Sequence, residues 1–212
     1  MYRIYVERKE GFENEALSIK SELTNFLGID GIKNVRYLNR YDVENVTESV
    51  IKAASQRIFS EAQSDFCYFE HIPLEENDIV IAWEYLPGQY DQRADACEQC
   101  FQLLTGEKNV KVKCAKIIVL YGELTDKDVN AIQEYLINPV DQRLASLDKV
   151  ADLTDESVDI KPVDVFKGFT QYNDSELKDF LSQKQMAMNF DDLKLTQEYF
   201  KNEEQRDPTE TE

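Results

Sequence analysis

Few residues of this 212-residue chain combine the type and the spacing that chemistry needs. Cys97-Glu98-Gln99-Cys100 has the spacing of a redox pair or of half a zinc site. Zinc takes four protein ligands, or three plus water, and the chain offers only one histidine, His71, next to Ile72-Pro73. The neighbouring carboxylates Asp191-Asp192 and Glu203-Glu204 could be imagined as acid and base, but adjacent residues on a helix point apart, so they read as solvated faces. With seven glycines, there is no G-x-G-x-x-G and no G-x-x-x-x-G-K to cradle a phosphate, and no H-E-x-x-H. No catalytic, cofactor-binding or metal-ligating residue is assigned.

The densest set of hydrogen-bonding groups is Glu84-Tyr85-Leu86-Pro87-Gly88-Gln89-Tyr90-Asp91-Gln92-Arg93-Ala94-Asp95. The apolar run Ile79 to Trp83 leads into it and an amphipathic run to Leu104 leaves it, which describes a strand-to-helix turn punctuated by Pro-Gly. Gln89, Asp91, Gln92 and Arg93 hold amides and charges at fixed angles after that turn, as a contact surface would. Asp91 also reads as an N-cap of the helix that follows. A cation near a helix N-terminus does not help the dipole, so Arg93 is expected to serve something outside its own helix.

The elements that position this stretch follow from periodicity. Tyr2, Ile4 and Val6 alternate with Arg3, Tyr5 and Glu7, a strand. Ile19, Leu23, Phe26 and Leu27 recur at helical spacing before Gly28. Val35 to Val46 alternates with a polar break at Asn39-Arg40, either one long strand or a tight hairpin. Thr47 caps a helix with Val50, Ile51, Ala54 and Ile58 on one face, and Phe66, Tyr68 and Ile72 close the unit. The order is the ferredoxin-like β-α-β-β-α-β.

The same order recurs. Gly11 corresponds to Gly88, and the same offset maps Leu23, Phe26 and Leu27 onto Cys100, Leu103 and Leu104, and Val35 onto Val112. One extra residue then sets Thr47 against Thr125, which opens a capping box with Asp128. On this alignment Asn14 matches Asp91, Glu15-Ala16 stands where Gln92-Arg93 stands, Cys97 falls on Lys20, and Cys100 takes the apolar slot of Leu23 and should pack as a small hydrophobe. The reading is α+β: two ferredoxin-like units, 1–75 and 76–150, forming a pseudo-dimer, then an acidic linker at 151–172 and a short helical linker domain at 173–212, whose tail, 203–212, has no apolar residue and should fray.

Composition bounds the partners. A net charge of −18 repels phosphate backbones and anionic headgroups, which argues against nucleic acid and membrane. No apolar run approaches the roughly 18 residues of a membrane span. The four cysteines lie in apolar runs instead of at the spacings of a secreted disulfide framework, so the expected location is the cytoplasm.

Tyr85-Leu86-Pro87-Gly88-Gln89-Tyr90-Asp91-Gln92-Arg93-Ala94-Asp95 resembles a hallmark of the large, single-chain phosphoribosylformylglycinamidine synthases. Leu38-Asn39-Arg40-Tyr41-Asp42-Val43, Tyr135-Leu136-Ile137-Asn138-Pro139-Val140-Asp141, and Gln197-Glu198-Tyr199-Phe200 through Arg206-Asp207-Pro208-Thr209 resemble the same family in the same order. The resemblance spans the chain but only the family's N-terminal part, which implies a fragment of a glutamine- and ATP-dependent amidotransferase of purine synthesis. It also implies that the repeat is a fused form of a small subunit that elsewhere dimerises. Catalytic histidine, nucleotide and magnesium ligands belong to later parts of the family, so ATP and magnesium are implied for the full-length enzyme and no cofactor for this segment. The implied partners are downstream synthetase and glutaminase domains of the same polypeptide; the fragment itself is expected to be monomeric. The alternative reading is a free-standing ferredoxin-like regulatory module that binds a small metabolite or a partner protein.

Overall fold

The computed structural model describes residues 1–154 and 162–212, in two compact units, Met1–Glu156 and Ser157–Glu212. The expected acidic linker lies partly in 155–161, outside the described residues. The first unit is α+β, its strands and helices alternating as β1 (Tyr2–Arg8), α1 (Asn14–Ser21), β2 (Ile32–Glu44), α2 (Glu48–Ala54), β3 (Asp65–Phe69), β4 (Ile79–Tyr85), α3 (Gln92–Thr105), β5 (Lys111–Gly122), α4 (Asp126–Leu136) and β6 (Gln142–Leu144). All strand pairs are antiparallel, in the order β3-β1-β2-β5-β4-β6.

The alternative left open at Val35–Val46 resolves as one long strand. Nothing between Val35 and Glu44 breaks the alternation: there is no glycine or proline to turn the chain, and Asn39-Arg40 simply continues the period of two. Each half is therefore β-α-β-α-β, with one long strand where the expected order has two middle strands. Ile72 lies beyond β3.

The two long strands pair with each other along the middle of the sheet, and their register is informative. Asn39 lies opposite Lys116, an offset of 77, which is the repeat offset. β1 and β4 begin at Tyr2 and Ile79, the same offset again. Two ion pairs obey it as well: Glu7 with Arg36 and Glu84 with Lys113. Gly31 and Gly122 sit back to back at one end of this pairing, where a Cβ on either would overlap the other strand's backbone.

The helices depart from that offset by one. The residue capping α1 is Glu13 and the one capping α3 is Asp91, so Asn14 is the first helical residue and not the counterpart of Asp91 as the sequence alignment had it. Ala16 and Ala94, and Leu23 and Phe101, are the buried pairs that follow at this offset of 78. The extra residue lies between Gly88 and Asp91; Gly11 and Gly88 both hold left-handed conformations, φ 88° and 85°. A π-helical turn at Glu22–Phe26 widens the first copy by comparison and returns the strands to register. Thr47 and Thr125 both precede their helices, but only Thr125 completes a capping box, with Asp128.

Alternation along β2 sends Val35, Tyr37, Tyr41 and Val43 to one face, where they pack with all four helices. Tyr41 and Val43 join Ile51, Ala54, Ala94, Cys97 and Phe101, whereas Val35 and Tyr37 join Ala16, Leu23, Trp83 and Ile132. The opposite face buries Tyr5, Leu38, Ala82, Ile117 and Val119, with Ile72 and Ala145 of the connecting segments packed against them. Arg3, Arg40 and Asp42, each 2–3% exposed, belong to this face. The Asp42 carboxylate accepts from Arg3 Nε and Nη2 and lies 3.2 Å from Arg40 Nε. The two guanidiniums also donate to carbonyls of the chain that follows β6: Arg3 to Leu147 and Asp148, Arg40 to Ser146. Burial alone would lower the Arg3 pKa, yet the Asp42 hydrogen bond and charge leave it raised; Arg40, where burial wins over Asp42, is lowered.

The second unit holds α5 (Asp174–Gln183) and α6 (Phe190–Tyr199) around Phe169, Leu177 and Leu193. Asn173 and Asn189 cap them. Gln197 Nε2 donates to the carbonyls of Phe169 and Tyr172. The tail is a correction to expectation: it does not lie loose. Thr209 bridges Val165, the Phe166 amide donates to Pro208 O, and Arg206 binds Glu212. Lacking apolar side chains, the tail is held by backbone bonds and by Asp207, which accepts from the amides of Gly168 and Thr170 and from the Thr170 hydroxyl.

Candidate functional site

The helix-bearing face of the sheet has a cavity of about 500 Å³ at its centre. Asn39 of β2 and Lys116 of β5, the pair on which the repeat register is centred, lie in its lining. Four odd apolar positions of β2 feed the two helical clusters, but Asn39 between them joins neither. The sheet is thus polar where the two clusters part. Tyr41, Trp83 and Tyr85 supply aromatic wall, and α3 supplies Gln92, Arg93, Ala96, Cys97 and Cys100.

Asp91 closes the α3 end. One of its oxygens accepts from the amides of Arg93 and Ala94, and the other from the Cys114 amide at 3.3 Å. The carboxylate is thus the helix cap and a tie between α3 and β5, which leaves it little capacity for a third task. Arg93 points the other way in function: its Nη1 donates to the Tyr41 hydroxyl at 3.2 Å, across 52 residues of chain. Burial raises the pKa of that phenol, against the charge of Arg93. Burial also raises Tyr37, on which Glu15 and Arg93 act with opposite sign; at the helical offset of 78 these two are counterparts, so the halves differ by a reversal of charge.

Of the expected contact residues, Asp91, Gln92 and Arg93 come together in the cavity wall. Gln89 is exposed and lines a neighbouring hollow of about 250 Å³ with Pro87, Lys111 and Leu153. The cysteine expectation is reversed. Cys97 is buried and Cys100 exposed, because α3 is phased by the Asp91 cap one residue later than the alignment assumed. Burial pushes the Cys97 thiol up to about 12, and Cys114 well above the usual range, so neither offers a thiolate near neutral pH. Among the described residues no cluster of His, Cys, Asp and Glu could hold a metal ion. His71 is exposed.

Asn39 and Lys116 were not legible as site residues in the sequence, because a polar residue within a strand reads as a solvent-side position, and Asn39 showed only as part of the polar break at Asn39-Arg40. Their common offset with Gly11 and Gly88 was the available signal. Neither a family model nor a curated protein matches this chain. Among the described residues no helix is long and apolar enough to cross a membrane.

Proposed function

We propose that this chain is the non-catalytic N-terminal assembly and linker portion of a large single-chain phosphoribosylformylglycinamidine synthase, with its first unit a fused pair of ferredoxin-like copies. One observation carries the reading. Three stretches that resemble that family, far apart in sequence, converge on one place. Asn39 and Tyr41 come from the first, Tyr85, Asp91, Gln92 and Arg93 from the second, and Asp141 at the end of the third accepts the Leu86 amide at 2.9 Å. Stretches drawn from about a hundred residues of chain that adjoin one another across the sheet are what a shared contact surface would leave in the sequence. The register of Asn39 against Lys116 and the matched ion pairs Glu7–Arg36 and Glu84–Lys113 support the duplicated-unit part, since a fused dimer keeps the twofold of its parent.

In this reading Gln89, Asp91, Gln92 and Arg93 form the contact through which the domain docks on the downstream synthetase and glutaminase body and helps keep the ammonia route closed to solvent. Asp91 does so by fixing the start of α3, and Arg93 by a side chain that starts at an exposed position and is held by the Tyr41 hydroxyl. ATP, magnesium and glutamine are handled by the rest of that enzyme. The test is made on the full-length polypeptide that contains this chain. Arg93→Ala should weaken glutamine-dependent synthesis more than synthesis from added ammonia, with the thermal midpoint nearly unchanged. Equal loss of both activities, or a stop codon directly after Glu212 with no catalytic domain attached, would overturn the proposal in favour of the free-standing regulatory module.

A further inference from the structure

The central cavity has chemistry that docking alone does not use. Arg93 and Lys116 both line it, and among the described residues neither has a carboxylate within ion-pair distance. That stands out against the other strand cations near the sheet centre, where Arg3 and Arg40 face Asp42, Arg36 faces Glu7, and Lys113 and Arg143 face Glu84. Acidic residues outnumber basic ones by 42 to 24 in this chain, so a shortage of carboxylates is not the reason. The two acids in the lining are already engaged: Asp91 with three amides, and Glu84 with Arg40, Lys113 and Arg143. Asn39 adds a buried acceptor, its Oδ1, which among the described residues has no hydrogen-bond partner; a buried oxygen left unpaired is destabilising, so the site calls for a donor there. Ile58, Ala96 and Cys97 supply apolar wall, and the volume falls within the roughly 300–1,000 Å³ of small-molecule sites.

The geometry points to a binding site for a small organic anion: a carboxylate or phosphate head between Arg93 and Lys116, on a body that carries an N–H donor for Asn39 Oδ1. The copy difference fits this assignment. Where α3 has Arg93, Cys97 and Cys100, α1 has Glu15 and Ile19 and the π-helical turn after it has Glu22, at the helical offset, so the second copy gains a cation and loses bulk on the side that faces the cavity. Under the reading of the chain as part of a larger enzyme the site would report a metabolite to the docking contact, and under the modular reading it would be the effector site; binding itself depends on neither.

The test uses the 212-residue chain, isotope-labelled, titrated with three probes and followed by amide and side-chain NMR shifts. Inorganic phosphate and succinate separate the two head groups, and L-aspartate differs from succinate by the amino donor alone. We expect saturating shifts at Asn39, Arg93 and Lys116 with a Kd near or below about 1 mM, and L-aspartate tighter than succinate. Lys116→Ala and Arg93→Ala should each weaken binding at least about tenfold, a change equivalent to 1.4 kcal/mol, whereas Lys116→Arg should retain it. Asn39→Ala should erase the preference for L-aspartate over succinate. Saturation by phosphate but not by either carboxylate would assign the head group to phosphate. Shifts that fail to saturate with all three probes, or that persist unchanged in folded Lys116→Ala and Arg93→Ala, would overturn the proposal, whatever the outcome of the amidotransferase assay.

Discussion

Replacing Asp42 with alanine tests the account of the second sheet face. Asp42 is 2% exposed and is the carboxylate that faces both Arg3 and Arg40, themselves each 3% exposed. Among the described residues, removing it leaves Arg3 with backbone carbonyls alone and Arg40 with Glu84 at 3.8 Å as its one remaining carboxylate, and breaking a buried pair in this way costs about 3–5 kcal/mol. In a domain of about 150 residues each kcal/mol moves the melting temperature by roughly 2–4 °C, so the midpoint of the first unit should fall by roughly 6–20 °C. The damage should also be local, because the Asp42 hydrogen bonds orient the Arg3 fork that holds the carbonyls of Leu147 and Asp148. Limited proteolysis should therefore find a new cut near Ser146–Asp148 well below the melting temperature. A far-UV circular-dichroism melt gives the first readout and mass spectrometry of the digest the second. As a control, Glu48→Ala breaks the fully exposed Lys52 pair and should leave the melt unchanged. An Asp42→Ala midpoint within about 2 °C of the parent would refute the reasoning, since it would mean that water already solvates these charges.

Three further outcomes are expected. Asp91→Ala removes two capping bonds and the tie to the Cys114 amide, so urea denaturation should show a loss of about 1–2 kcal/mol, while Asp91→Asn, which keeps a capping oxygen, should lose less. Brief iodoacetamide treatment near pH 8 should modify exposed Cys100 first and leave Cys97, pushed up to about 12, and Cys114 largely intact; peptide mapping decides this, and equal labelling would contradict the burial. The amides of Thr170 and Gly168 hold the Asp207 pKa below its ordinary value. A lowered folded pKa gives stability that is complete above the unfolded value of about 3.9 and is lost as pH falls through the folded one. Amide exchange in 164–170 should therefore accelerate below about pH 4 in the parent and lack that step in Asp207→Asn.

Much of the first unit could be read from residues because its signals are local. Strand alternation, the threonines before α2 and α4, and the glycines at 11 and 88 each depend on a few neighbours. The repeat was legible to within one residue, and that one residue mattered. On a helix a single step turns the side chain by about 100°, enough to exchange Cys97 and Cys100 between core and solvent and to move the cap from Asn14 to Glu13. What could not be read depends on chain segments meeting from afar. Arg3, Arg40 and Asp42 look like the solvent side of alternating strands until the connections after β3 and β6 are seen to cover that face. Likewise, Asn39, Arg93 and Lys116 share a cavity only because β2 pairs with β5. The cap role of Asp91 was legible, but its hydrogen bond to β5 was not.

The pairing of β2 with β5, which runs from Ile32 to Glu44 with one irregularity between Ile32 and Asn34, has a consequence for how the chain assembles. Until β5 has been synthesised, β2 is an open edge thirteen residues long, and an edge of that length is a template for any matching strand, including β2 or β5 of another molecule. The halves are joined through the short connection between β3 and β4, nine residues from Glu70 to Asp78. A flexible tether of that length holds its two ends at an effective concentration in the millimolar range, far above that of any second molecule in solution. Carrying both halves on one chain therefore makes the β2–β5 pairing a first-order closure, and it lets the halves differ at matched positions. Arg93 stands in one half where Glu15 stands in the other, a difference that two identical subunits encoded by one gene could not carry.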